Sequence, residues 1–129
     1  MSEIKIAFQG ERGAYSHIAC EELFKGAVIT ACPTFEETFK IAHENADYKI
    51  VIPIENSLAG RVADIHYLLP KYKLQIYAEH FQIVEHNLLV KKNADLKDIK
   101  YVRSHAQAID QCQKIIQKNK FQTIISADT

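Results

Sequence analysis

The spacing of hydrophobic positions changes several times along the chain, and each change marks an element. Ile4-Lys5-Ile6-Ala7-Phe8 alternates and then stops at Gln9-Gly10-Glu11-Arg12-Gly13, the pattern of a strand running into a glycine-containing turn. From Ser16 to Phe24 the apolar residues recur at helical spacing, and Gly26 ends that helix with Lys25 in its last turn. Val28-Ile29-Thr30-Ala31 reads as a second short strand. Thr34-Phe35-Glu36-Glu37 is a capping box: the threonine hydroxyl accepts from the Glu37 amide while Glu37 reaches back. The helix it opens runs to about Glu44, with Phe35, Phe39 and Ile41 or Ala42 facing inward. Tyr48 to Ile52 is apolar on both faces, which places it at the centre of a parallel sheet. Val62 to Leu69 is helical again and is stopped by Pro70. This β-α-β-α-β-α order predicts an α/β fold with a parallel sheet and right-handed crossovers.

Beyond Pro70 the pattern changes. Leu74 to Val84 is a long extended run and Asn87 to Val90 a second, with His86-Asn87 between the two patterns, so two strands with an antiparallel or crossing connection between two lobes are expected. Asp95 to Ile99 looks like one helical turn, and Tyr101-Val102-Arg103 like a short strand. Ser104-His105-Ala106-Gln107-Ala108 opens a helix whose apolar stripe is Ile109, Cys112, Ile115 and Ile116. Phe121 to Ile125 is a last strand, followed by Ser126-Ala127-Asp128-Thr129, which has the look of a helix N-cap. The second half has few elements to cover its own sheet. It reads as a chain cut short, or as one completed by a partner.

Composition narrows the function classes. Sixteen basic and sixteen acidic residues cancel, so no overall field draws the chain to nucleic acid or to an anionic membrane. No apolar run approaches the roughly 20 residues that span a bilayer, and Met1-Ser2-Glu3-Ile4-Lys5 lacks a signal-peptide layout. A cytoplasmic protein is expected. Cys20, Cys32 and Cys112 are scattered, with no paired spacing and no histidine set at metal-ligand distance, so no metal is expected.

Candidate chemistry sits at three strand-to-helix junctions: Gln9 to Ser16, Glu55 to Val62, and Ser104 to Ala108. Each places glycine, serine, asparagine or histidine where unpaired backbone N–H groups and the helix dipole favour an anion. The plainer alternative is that Ser16, Ser57 and Ser104 only cap helices, as serine does widely. Glu55 has no second acidic residue beside it for paired-carboxylate chemistry, and is expected to organise its turn by accepting backbone amides. His105 is either an acid and hydrogen-bond donor or a structural histidine. Gly10-x-x-Gly13 is too short for a P-loop or a dinucleotide fingerprint. Ser57 and His105 lack a third member, so no triad is implied.

These motifs together resemble the prephenate dehydratases. Gly10-Glu11-Arg12-Gly13-Ala14-Tyr15-Ser16 is similar to the family's opening motif, and Pro53-Ile54-Glu55-Asn56-Ser57-Leu58-Ala59-Gly60-Arg61-Val62 to its central one. Ser104-His105-Ala106-Gln107-Ala108, with Gln111-Cys112 behind it, is similar to a third, with Ala106 where proline is common. Asp128-Thr129 falls where the family has the same pair. The resemblance implies a two-lobed α/β fold like a type 2 periplasmic binding protein, with the second lobe incomplete. Residues 1–72 would be the first lobe, and 73–129 the hinge-crossing strands and a partial second lobe.

The implied reaction is prephenate to phenylpyruvate, water and carbon dioxide, with no cofactor. Arogenate dehydration, or binding of a small anion without chemistry, are the alternatives. His105 and Ser57 are the implied catalytic residues. Gly13, Ser16, Glu55, Asn56, Ser57, Gly60, Ser104, Gln107 and Thr129 are the implied substrate-binding set. The family's Thr-Arg-Phe motif does not occur in this sequence. The expected partners are the small-molecule substrate and a second copy of the chain, not nucleic acid or a membrane.

Overall fold

The computed structural model describes residues 3–127. The chain divides into two compact units, Met1–Ile83 and Val84–Thr129.

In the first unit, strands β1 (Lys5–Gln9), β2 (Val28–Cys32) and β3 (Tyr48–Val51) form a parallel sheet in the order β2-β1-β3. Helix α1 (Tyr15–Leu23) connects β1 to β2, and α2 (Phe35–Glu44) connects β2 to β3. The α/β fold with parallel strands is as expected, but the central strand is not. β1 lies in the middle, pairing Ile6 with Ile29 on one side and with Lys49 on the other. Burial explains the difference. Ile6, Ala7 and Phe8 are fully buried, whereas β3 is only half-buried.

Two clusters fill this unit. Ile6, Phe8 and Cys20 pack with Phe24 and Ile29. Phe39, Ile65 and Leu68 pack with Phe35, Ile50 and Leu74. Half of the predicted capping box forms at the start of α2: the Thr34 hydroxyl accepts from the Glu37 amide at 3.1 Å, while among the described residues the Glu37 carboxylate makes no bond back to Thr34. The Thr38 hydroxyl donates to the Thr34 carbonyl at 2.9 Å, which lets a polar side chain be buried inside the helix.

Helix α3 (Ala63–Tyr72) contains Pro70 rather than ending before it. A proline removes one helical hydrogen bond and crowds the preceding turn. Tertiary contacts hold the last turn nonetheless. Lys71 Nζ and Tyr72 Oη both donate to Glu36 Oε1 at 2.5 Å, the Tyr72 ring lies 6.0 Å from Phe39, and the Tyr72 carbonyl accepts from His43 Nδ1 at 3.1 Å. Lys73, in the left-handed conformation at φ 53°, then ends the helix.

The strands expected over 74–84 and 87–90 do not form. This stretch has neither helix nor ladder, and Ile76, Tyr77, Phe81, Ile83 and Leu89 are exposed. Alternating hydrophobicity prepares a strand, but a strand needs a paired edge.

In the second unit, β6 (Tyr101–Ser104) and β7 (Gln122–Ile125) pair in parallel. Between them the single expected helix is two, α4 (Ala106–Gln111) and α5 (Gln113–Asn119). The break is at Cys112, whose amide is shared between the Ala108 and Ile109 carbonyls. Ile109, Ile116 and Phe121 form this core, while Ile115, expected on the apolar stripe, is 43% exposed. Phe121 contributes as a buried anchor before the strand rather than as its first residue. Leu96–Asp98 is a single 3₁₀ turn capped by the Asp95 side chain.

Candidate active site

Two of the three junctions leave the first unit's sheet at one edge. β1 and β3 are hydrogen-bonded parallel neighbours, so the loops after their carboxyl ends emerge side by side.

The β1–α1 loop is held from several directions. Gly10 donates to the Cys32 carbonyl at 2.9 Å, and Ala14 donates to the Glu11 carbonyl at 3.1 Å. Arg12 reaches the Ile29 carbonyl through Nη2 at 3.2 Å. Gly13, at φ 93°, sits in the left-handed region that only glycine adopts freely. Its amide donates to His17 Nδ1 at 3.1 Å, and the His17 ring stacks on Phe8 with centroids 5.5 Å apart. The N-cap position of α1 is Ala14, with no side-chain cap. Ser16 is therefore not a cap. It lies in the first helical turn, where backbone N–H groups lack intrahelical acceptors.

The central motif is not a strand feeding directly into a helix. Glu55–Asn56 (β4) and Gly60–Arg61 (β5) form a tight antiparallel hairpin, pairing Glu55 with Arg61 and Asn56 with Gly60. Asn56 Oδ1 accepts from the Leu58 and Ala59 amides at 3.0 and 3.1 Å, and Gly60 closes the loop at φ 83°. Asn56, not Glu55, thus organises the turn. Ser57 caps nothing, since α3 starts behind Val62 and has no side-chain cap. Among the described residues, the Ser57 hydroxyl, the Glu55 carboxylate and the Asn56 amide nitrogen make no side-chain hydrogen bond. All three are available to a ligand.

The third junction belongs to the second unit. Ser104 ends β6, its carbonyl accepting from the Ser126 amide at 2.9 Å, so it too is not a helix cap. His105 takes that place, with Nδ1 accepting from the Gln107 amide at 3.3 Å. An Nδ1 that accepts is unprotonated, and the ring proton of neutral His105 is then on Nε2. Gln107 lies exposed in the first turn of α4. Thr129 lies outside the described residues.

The sequence reading missed His17 and Arg12 as parts of the first junction. The spacing Gly13 to His17 was the available signal, because a residue four positions along a first helical turn reaches back over the preceding loop. Away from these junctions, burial pushes the Cys20 thiol up to about 12, which keeps it protonated and unreactive. Among the described residues no three or more of His, Cys, Asp and Glu are grouped to hold a metal ion. No helix among them is long and apolar enough to cross a membrane.

The prephenate dehydratase family model matches residues 6–129. The chain is 41% identical over 124 residues to the bifunctional N-acyl-homoserine lactone acylase/prephenate dehydratase of Komagataeibacter europaeus, covering 96% of this chain and 44% of that protein. It is 35% identical to the bifunctional chorismate mutase/prephenate dehydratase of Escherichia coli K12, covering 88% of this chain and 31% of that one. Among solved structures, the quorum-quenching acylase GqqA superposes with a TM-score of 0.83 at 41% identity, over 97% of this chain and 46% of that one. Prephenate dehydratase from Arthrobacter aurescens superposes with a TM-score of 0.74 at 17% identity, over 98% and 43%, a likeness of fold. The chain thus spans less than half the length of these relatives. With the model matched from Ile6 onward and the three motifs in order, this chain belongs to the prephenate dehydratase family.

Proposed function

We propose that the chain supplies the prephenate-binding residues of a prephenate dehydratase, a carbon–oxygen lyase of phenylalanine biosynthesis. The supporting observation is the β4–β5 hairpin. Asn56 uses its carbonyl oxygen on the turn, so its amide nitrogen and the neighbouring Ser57 hydroxyl, neither in a side-chain hydrogen bond among the described residues, are the proposed donors. Prephenate is a dianion, and donors rather than acceptors are what it needs. The N–H groups at Ser16 and around Gly60 offer further donors at the same sheet edge, while Gly13, whose own amide is taken by His17, shapes the loop beside them. Ser104, His105 and Gln107 are the proposed contribution of the second unit, with Thr129 beyond them.

In the reaction the bond between ring carbon and carboxylate breaks, and its electron pair enters the ring. The ring hydroxyl leaves with one proton as water. Aromatisation drives the step, so the protein must orient the dianion and supply that proton. The proton is drawn from solvent through a bound water that His105 Nε2–H is proposed to orient, with Ser57 orienting the leaving hydroxyl. No metal or organic cofactor takes part.

The proposed architecture is that of two lobes resembling a type 2 periplasmic binding protein. Residues 1–72 form the first lobe, and 73–129 the hinge crossing and part of the second. The proposed location is the cytoplasm. The uncovered apolar residues between Ile76 and Leu89 support self-association as a homodimer.

Arogenate is the second substrate reading, favoured by two relatives at 34% identity, one in Arabidopsis thaliana named arogenate dehydratase/prephenate dehydratase and one in Petunia hybrida named arogenate dehydratase. The test is phenylpyruvate formation from prephenate by the purified chain, with arogenate in parallel. An N-acyl-homoserine lactone forms a third arm, because the Komagataeibacter relative is also named an acylase. Prephenate turnover that falls about tenfold or more in Ser57→Ala supports the proposal. Saturable prephenate binding without turnover identifies a binding domain instead.

A further inference from the structure

The dehydratase reading gives His17 no part, yet its imidazole is only 13% exposed and lies against the first junction. Three contacts fix it. The ring stacks on Phe8 at 29°, Nδ1 accepts from the Gly13 amide at 3.1 Å, and Nε2 faces Glu21 Oε1 at 3.9 Å. Phe8 is fully buried on the central strand, so the ring rests on a packed core side chain. Gly13 stands at φ 93° three residues before Ser16, so its amide direction fixes how the loop enters α1.

We infer that His17 is a positioning residue that holds the Gly13–Ser16 segment in its ligand-receiving conformation through an unprotonated Nδ1. The role follows from donor and acceptor chemistry. A backbone N–H requires an acceptor, so the neutral ring carries its proton on Nε2, on the side of Glu21. Stacking alone would leave the tautomer free. The hydrogen bond selects one, and ties loop geometry to a single ring atom. The inference rests on the proposed placement of this loop against the substrate, but the tautomer and the loop bond stand or fall separately from it.

The test compares the protein with three variants. An asparagine side-chain oxygen falls close to the place of Nδ1, a glutamine amide nearer that of Nε2, and a phenylalanine keeps only the stack. Nitrogen NMR of the neutral His17 ring should show an acceptor-type Nδ1 and a protonated Nε2. Amide exchange at Gly13 should rise about tenfold in His17→Phe and His17→Gln, and recover in His17→Asn. Prephenate affinity should follow the same order. A protonated Nδ1, or Gly13 exchange that is equal in all four proteins, overturns the inference. The dehydratase reading fails with a different mark: the tautomer and exchange pattern are present, but the wild-type protein binds no prephenate.

Discussion

Residues at the three junctions divide between those that shape the backbone and those proposed to face a ligand. Asn56 joins the two, its oxygen closing the hairpin while its amide nitrogen makes no side-chain hydrogen bond among the described residues. His17 and His105 share one relation to their loops, each accepting a backbone amide through Nδ1. Gly60 is needed for its conformation alone. A Cβ there would meet nothing within 4 Å, but φ is +83°. Gly60→Ala should therefore cost about 1–2 kcal/mol, the penalty of a left-handed side-chain-bearing residue. Thermal unfolding would measure it, and no loss would mean that the hairpin turns without this constraint.

The serines show where residue-level reading from sequence fails. Capping was the plain alternative for Ser16, Ser57 and Ser104, yet the cap positions are Ala14, Val62 and His105. Serine's preference for caps is a local tendency. A glycine-containing loop, a short hairpin and a strand end decide these positions instead, and among the described residues the three hydroxyls make no hydrogen bond.

At the scale of elements, local signals were legible and those that need a partner were not. The capping box at Thr34 carries its own hydrogen bond, so α2 begins where the sequence says. The strands expected over 74–84 and 87–90 depended on an edge to pair with. Pro70 was misread because the contacts that keep α3 going come from α2: Glu36 gathers Lys71 and Tyr72 across the pair of helices. Pro70→Ala restores a helical donor and relieves the crowded turn, and should stabilise the first unit by about 1–2 kcal/mol in denaturant unfolding. A destabilised variant would show that the proline ring itself packs usefully.

The Glu36 cluster also has a pH signature. The Lys71 ammonium and the Tyr72 hydroxyl hold the Glu36 carboxyl below its usual value. A lowered carboxyl stabilises the fold above its unfolded value, about 4.3, and loses that contribution as pH falls through the lowered one. Hydrogen bonding to Glu36 raises Lys71 and Tyr72, so their contribution is complete below about 10 and is lost as pH rises through the raised values. The stability difference between the wild type and Glu36→Gln should hold at neutral pH and shrink below about pH 4. Because the pair is exposed, salt should reduce it as well. A difference that does not change with pH would exclude the ion pair as its source.

At the scale of the whole molecule, each unit has its own core, and the apolar stretch between Ile76 and Leu89 is covered by neither, with Phe81 86% and Leu89 88% exposed. Exposure of that kind predicts association in solution, rising with protein concentration and read by light scattering. Phe81→Ser together with Leu89→Ser should reduce it; a monomer at all concentrations would contradict the proposed homodimer. The family was legible because its motifs are short, ordered and held by local backbone geometry.

The central proposal is that the Gly13–Ser16 and Asn56–Gly60 junctions of the first unit bind prephenate. Nitrogen-resolved NMR of the labelled chain titrated with prephenate tests it most directly. The account predicts saturable shifts at the Ser16, Ser57 and Gly60 backbone amides and at the Asn56 side-chain amide, all with one binding constant. No shift at these junctions, or shifts spread over surface lysines without saturation, would contradict it.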